Sequence, residues 1–134
     1  MIWLCDSFIK EQELFSALRH EERVLKIILA RFFPLIPKPL KFSYELNDPD
    51  IIGEADLEEM VIRINLSYLF SHGEIEGIDT LRHEVAHICS FFEIGDVWIK
   101  RRGKEVYWPH NKNWKKWCRF LGCRPYAKME KNKQ

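Results

Sequence analysis

The sequence predicts an α+β fold: an N-terminal helix, a short, mostly antiparallel sheet, a central helix that carries the chemistry, and a C-terminal helix. Three observations predict it. Apolar residues recur at helical spacing in three separate stretches. Short alternating segments bounded by Asn, Asp, Pro and Gly lie between the first stretch and the second. The chain has 134 residues, 46% hydrophobic and 31% charged, the proportions of one globular unit. At that size folding buries about two-thirds of the surface, enough for a real core. Disordered, collagen-like and disulfide-scaffold classes are excluded. With no repeat, linker or low-complexity segment, residues 1–134 are expected to form one domain, with residues 127–134 a frayed tail.

Each element has its own signals. Phe8, Leu14, Phe15, Leu18, Leu25, Ile28, Leu29 and Phe32 place a helix over residues 7–33, with Asp6 or Ser7 as its cap and Pro34 as its stop. Residues 34–39 are too rich in proline for a helix or strand and make a stiff connector. Residues 41–46 alternate as a strand, 47–50 make a turn, and strands follow at 53–56 and 60–65. Asn65 or Ser67 starts a short helical turn through Phe70, which Ser71-His-Gly ends. Residues 76–92 form the central helix, which Asp79 and Thr80 cap or flank. Two apolar-aromatic stretches, 97–99 and 106–108, then pair as a hairpin around the basic tip Lys100-Arg-Arg-Gly-Lys104. Residues 110–121 form the last helix, with His110, Trp114, Trp117 and Leu121 on one stripe; Gly122 stops it and Pro125 prevents continuation.

The net charge is only +1, yet it is lopsided. Residues 1–91 carry 9 Lys/Arg against 16 Asp/Glu, a net −7, and residues 92–134 carry 12 against 4, a net +8. Such a split points to a nucleic-acid or acidic partner for the basic end, or to two parts that neutralise each other in the fold. Cys5, Cys89, Cys118 and Cys123 show no framework spacing. Free thiols and a reducing intracellular compartment are expected, nuclear if the source is eukaryotic. Cys118 and Cys123 read as packed thiols; a half zinc knuckle lacks its second pair. Asp6 breaks the apolar start too early for a secretory segment. No apolar run approaches a membrane span, so no membrane partner is expected.

The decisive string is His83-Glu84-Val85-Ala86-His87. On a helix, positions four apart share a face, so two imidazoles can address one ion. Glu84 sits about 100° round the axis, able to reach a water on that ion without binding the metal. Zinc lowers the pKa of such a water to about 7, and Glu84 can move its proton. This is the reaction core of a metallopeptidase. The alternative is an exposed helix with two surface histidines. The apolar flanks Ile78, Leu81, Val85, Ile88, Cys89 and Phe92 argue for a central helix instead. A catalytic zinc usually has three protein ligands. Ser90 and Glu93 stand where a metzincin needs Gly and His. Glu93 is too close to serve, Glu105 lies in the hairpin, and His110 is favoured because Trp114 and Trp117 would dock its helix and fix its ring. One Zn2+ per chain is expected.

Followed 23 residues later by His110-Asn-Lys-Asn-Trp114 and then Phe120-Leu-Gly122, the string resembles the SprT-like zinc metalloprotease family, of which Spartan is the best-known member. The resemblance covers roughly residues 10–125. It implies a zincin-like metalloprotease domain, with His83, His87 and His110 on the metal and Glu84 as catalytic acid/base. It also implies a protein substrate, in the best-understood members one covalently trapped on DNA. Where the family commonly has Gly after its third His, this chain has Asn111, which tolerates left-handed backbone angles.

Lys100, Arg101, Arg102 and Lys104 at the hairpin tip, and Lys112, Lys115, Lys116 and Arg119 on the last helix, are the candidate contacts to single-stranded or damaged DNA. Cations neutralise phosphates, and Trp98, Tyr107 and Trp108 offer faces to bases. A solvated charge run with Trp114 and Trp117 in the core is the competing reading. His20 and His72 are expected on the surface, and Tyr107 and Tyr126 are candidate oxyanion donors. The sequence thus predicts a monomeric zinc metallopeptidase of the HExxH type. Its rivals are a DNA-associated zinc module without useful peptidase activity and a zinc hydrolase of another bond. Glu84 argues against the module, because a structural site has no use for it.

Overall fold

A computed structural model describes residues 2–126, with side chains from residue 9 onward. The order of elements is α1 (Ile2–Phe32), β1 (Lys41–Ser43), β2 (Gly53–Asp56), β3 (Val61–Ile64), α2 (Leu66–His72), α3 (Glu74–Ile94), β4 (Trp98–Arg101), β5 (Lys104–Tyr107) and α4 (Lys112–Leu121). The expected tail at 127–134 and the thiol of Cys5 lie outside what is described. Among the described residues no helix is long and apolar enough to cross a membrane.

α1 is longer than its periodicity predicts. It runs through Asp6 and Ser7 to Ile2, so neither residue caps it; helical backbone continues across both positions. Its end before Pro34 is as expected, because that ring cannot continue the ladder. Leu14, Leu18, Leu25 and Leu29 face inward.

The sheet differs from the expectation of a mostly antiparallel one. Its order is β1-β3-β2, with β1 parallel and β2 antiparallel to β3. The proline-rich connector carries the chain from the end of α1 to β1, which enters beside β3 in its own direction. Beyond Ser43 the pairing shrinks to a bridge between Glu45 and Asn65. Ile62 and Ile64 are fully buried while Val61 and Arg63 are not, the alternation of a sheet with one face on the core.

Asn65 ends the sheet and caps α2, its side chain accepting from Tyr68 N and donating to the carbonyls of Asp48 and Ile51. α2 runs two residues past Phe70. α3 follows Gly73 directly, so Asp79 and Thr80 lie well inside it and do not cap it. Asp79 instead accepts from Arg124, and the Thr80 hydroxyl donates to the Glu76 carbonyl. α3 is the central helix: Leu81, Val85, Ala86, Ile88 and Cys89 are fully buried, each larger aliphatic side chain stabilising by about 1.5–3 kcal/mol. Burial pushes the Cys89 thiol up to about 12, so it is an inert core residue.

Arg82 joins three helices. Its guanidinium meets the buried Glu21 carboxylate of α1 at 2.8 Å and donates to the Gly122 carbonyl beyond α4 at 3.2 Å. The α4 end is as the sequence predicts: Gly122 is left-handed, at φ 86° and ψ 32°, with its N–H on the Cys118 carbonyl. Cys118 and Cys123 are buried free thiols. β4 and β5 pair antiparallel as expected, and their two turn residues, Arg102 (φ 51°) and Gly103 (φ 78°), have the positive φ that matches strand twist.

Candidate metal centre

The one-turn spacing on α3 places the His83 and His87 rings 5.0 Å apart. His110 comes from the turn just before α4, its ring 5.3 Å from His83 and 4.8 Å from His87. One nitrogen from each of the three lies within 4.8 Å of the others. Three half-buried imidazoles at such distances are a donor set for a divalent metal of borderline softness, with a fourth position left to the cleft. Burial holds the His87 pKa well below its ordinary value, and His83 and His110 add to the effect. Its ring is therefore neutral, with the lone pair a metal needs.

α4 begins at Lys112, not at His110. Asn111 is its N-cap, the side-chain oxygen accepting from Trp114 N at 3.0 Å and the amide donating to the Trp108 carbonyl at 3.1 Å. Its backbone is extended, at φ −78° and ψ 179°. The expected left-handed turn at Asn111 is therefore absent, and the residue serves through its side chain. Trp114 is fully buried under the triad. Its ring stacks on His87 at 5.2 Å, meets His83 at 4.8 Å and His110 at 4.5 Å, and its indole N–H donates to the His83 carbonyl. One aromatic thus props all three rings.

Glu84 is 6% exposed, its carboxylate 3.7 Å from His83 Nε2. Burial, helped by Glu54, pushes its pKa up to about 8. It lines the cleft with the three histidines, Thr80, Tyr107, Pro109 and, from β2 and its flanks, Ile52, Gly53, Glu54, Ala55 and Leu57. Glu105 is an exposed residue of β5 and stands outside the triad. Glu93 is occupied at the far end of α3 by Lys116 at 2.6 Å and the Trp117 indole.

The β2 wall escaped the sequence reading. Its one signal is Gly53, where a Cβ would lie 3.1 Å from Thr80 Cγ2 and 3.0 Å from Ile64 Cδ1. Glycine lets β2 close on α3.

Lys100, Arg101, Arg102 and Lys104 are exposed on the hairpin, with the Arg101 guanidinium 5.1 Å over Trp108. Lys112, Lys116 and Arg119 are exposed on α4 and Lys115 is half-buried; Lys116 is paired with Glu93. Trp114 and Trp117 are core. His20 and His72 are exposed. Tyr107 lines the cleft with its hydroxyl bonded to Asp96. Tyr126 does not line the cleft and lies under Arg124.

The family model for the SprT-like family matches residues 40–132, from β1 through the whole triad. No curated protein and no solved structure matches the chain. With both sheets, helices α2, α3 and α4 and the three-histidine cluster inside the matched stretch, the chain belongs to the SprT-like family.

Proposed function

We propose that the protein is a zinc-dependent metalloendopeptidase that acts on protein substrates, DNA-bound ones among them. The observation that carries this is Glu84: a buried carboxylate facing the same cleft as three clustered histidines. His83, His87 and His110 would hold the metal through their ring nitrogens. Zinc supplies Lewis acidity there and brings the pKa of a water to about 7.

Glu84 accepts the proton of the attacking water at its carboxylate and delivers it to the leaving amine. Burial makes it a better base than a solvated carboxylate. Trp114 packs against all three histidine rings, and Asn111 holds the turn that presents His110. The outer edge of β2 supports a peptide substrate. Ile52 O accepts from Asn65 N, so by antiparallel alternation Glu54 and Asp56 bond β3, while the main-chain groups of Gly53 and Ala55 point the other way. Both residues line the cleft, where an extended peptide could pair with them.

The basic residues of the hairpin and α4 would bring DNA close to the centre. The test compares wild type with Glu84→Gln for zinc content and for cleavage of a DNA-binding protein, with and without single-stranded DNA. One zinc per chain in both and cleavage by wild type alone is expected. Equal cleavage by the two refutes the role of Glu84. Zinc with no cleavage by either supports the rival, a DNA-associated zinc module.

A further inference from the structure

The β4–β5 hairpin lies between the second and third histidines and its strands pack chiefly on each other. Its two faces differ. Trp98 and Tyr107 are directly opposed across the strands, as are Lys100 and Glu105 two residues further along, and these four share one face. Ile99, Val106, Arg101 and Lys104 share the other.

Tyr107 lines the metal cleft, and Trp98, which stands outside that lining, adjoins it through the Tyr107 ring. Trp98 is 56% exposed and Tyr107 42%, with ring centroids 5.3 Å apart. Two large aromatics held side by side in solvent leave apolar surface that a ligand can cover. Across the cleft stand Ile52, Ala55 and Leu57.

We infer that the Trp98–Tyr107 pair extends the cleft wall outward from Tyr107, and that this extension selects a bulky apolar side chain of an extended peptide bound across the cleft. This deepens the peptidase reading and rests on it for the position of the bond to be cut. A peptide fits this wall better than a nucleic-acid base does. Asp96 bonds the Tyr107 hydroxyl, Glu105 shares the aromatic face, and Glu54 and Glu84 border the cleft. Asp96 and Glu54 repel a phosphate backbone, Lys100 balances Glu105 opposite it on the same face, and Arg101 and Lys104 of the basic tip lie on the other face. An apolar side chain carries no charge to repel. It also finds aliphatic groups on one side and two rings on the other.

The test uses full-length, zinc-loaded Glu84→Gln protein, which binds without turnover. Two dye-labelled ten-residue peptides of Gly, Ser and Ala are compared by fluorescence anisotropy, one carrying a single central Phe. The Phe peptide is expected to bind at least about tenfold tighter, the scale on which an apolar pocket discriminates. Trp98→Ala should bring the ratio near one, and Trp98→Phe should restore most of it. Trp98 is exposed, so neither substitution opens a hole in the core.

Equal or undetectable binding of the two peptides overturns the inference, and so does a ratio that survives Trp98→Ala. If a single-stranded oligonucleotide displaces the Phe peptide and itself loses affinity in Trp98→Ala, the aromatic face belongs to nucleic acid and the inference is overturned. The two readings fail separately. Preference without cleavage by wild type removes the peptidase and keeps the wall. Cleavage of a DNA-binding protein without preference removes the wall and keeps the peptidase.

Discussion

Asn111→Ala breaks two bonds in the turn that presents His110. The first is the N-cap of α4, the side-chain oxygen on Trp114 N at 3.0 Å. Its loss costs about 1 kcal/mol. The second is the amide on the Trp108 carbonyl at 3.1 Å. Its loss leaves a part-buried acceptor without that donor, for about another 1 kcal/mol. The sum of about 2 kcal/mol is roughly a thirtyfold change in the folded-to-unfolded ratio. His110 is the next residue, so metal affinity should fall by about 10- to 100-fold, as when an outer support of a metal ligand is lost. Urea unfolding of the metal-free protein reads the first number, and competition with a zinc chelator reads the second. Asn111→Asp keeps the cap oxygen and loses the amide donor, so it should fall between wild type and Ala. Asn111→Gly should restore nothing beyond what a glycine cap supplies, because φ is −78° and backbone freedom is not needed. Unchanged unfolding midpoint and zinc affinity in Asn111→Ala would refute the account of how the third histidine is held.

Three further outcomes follow from the geometry. Removing metal with a chelator should lower Tm, and zinc should restore it, by about 2.7 kcal/mol at a hundredfold excess over Kd; a Tm indifferent to zinc contradicts the triad. Gly53→Ala places a Cβ 3.0 Å from Ile64 Cδ1 and 3.1 Å from Thr80 Cγ2. It should cost about 1–3 kcal/mol by overpacking and weaken peptide binding while zinc affinity holds, since no ligand sits on β2. Peptide affinity equal to wild type would show that β2 does not border the substrate. The Lys116 ammonium, followed by the Trp117 indole, holds the Glu93 carboxyl below its ordinary range. A depressed carboxyl stabilises above its unfolded value of about 4.3 and loses that as pH falls through the folded one. Wild type should therefore lose more Tm than Glu93→Gln between about pH 5 and about pH 3, and parallel curves would contradict the pairing.

Much of this was legible because the signals are local. The His83-Glu84-x-x-His87 spacing needs only one helix, Gly122 ends α4 by its own backbone freedom, and the span of β2 is bounded by its turns. What escaped depends on distance in the chain. Nothing within residues 41–46 says whether that strand meets its neighbour parallel or antiparallel, because direction comes from where the connector leaves it. The Arg82–Glu21 pair joins residues 61 positions apart, and neither residue carries a pattern that names the other. Asn111 is ambiguous for a different reason. Its residue type suits both a left-handed turn and a helix cap, and only the placement of Trp108 and Trp114 decides between them. The cleft wall of Ile52, Ala55 and Leu57 depends on Gly53, which lets β2 close on an α3 that comes later in the chain.

The hairpin that separates the second histidine from the third turns back at Arg102 and Gly103, at the tip of two strands that pair with each other. Because closing a loop grows dearer only with the logarithm of its length, by about 0.6 kcal/mol per doubling, residues added at that tip should leave the histidines able to converge. The convergence of the histidines is thus insensitive to the length of the tip. Tyr107 and the Trp108 carbonyl stay in place when residues are added only at the turn, which makes residues 102 and 103 the place to graft a foreign loop.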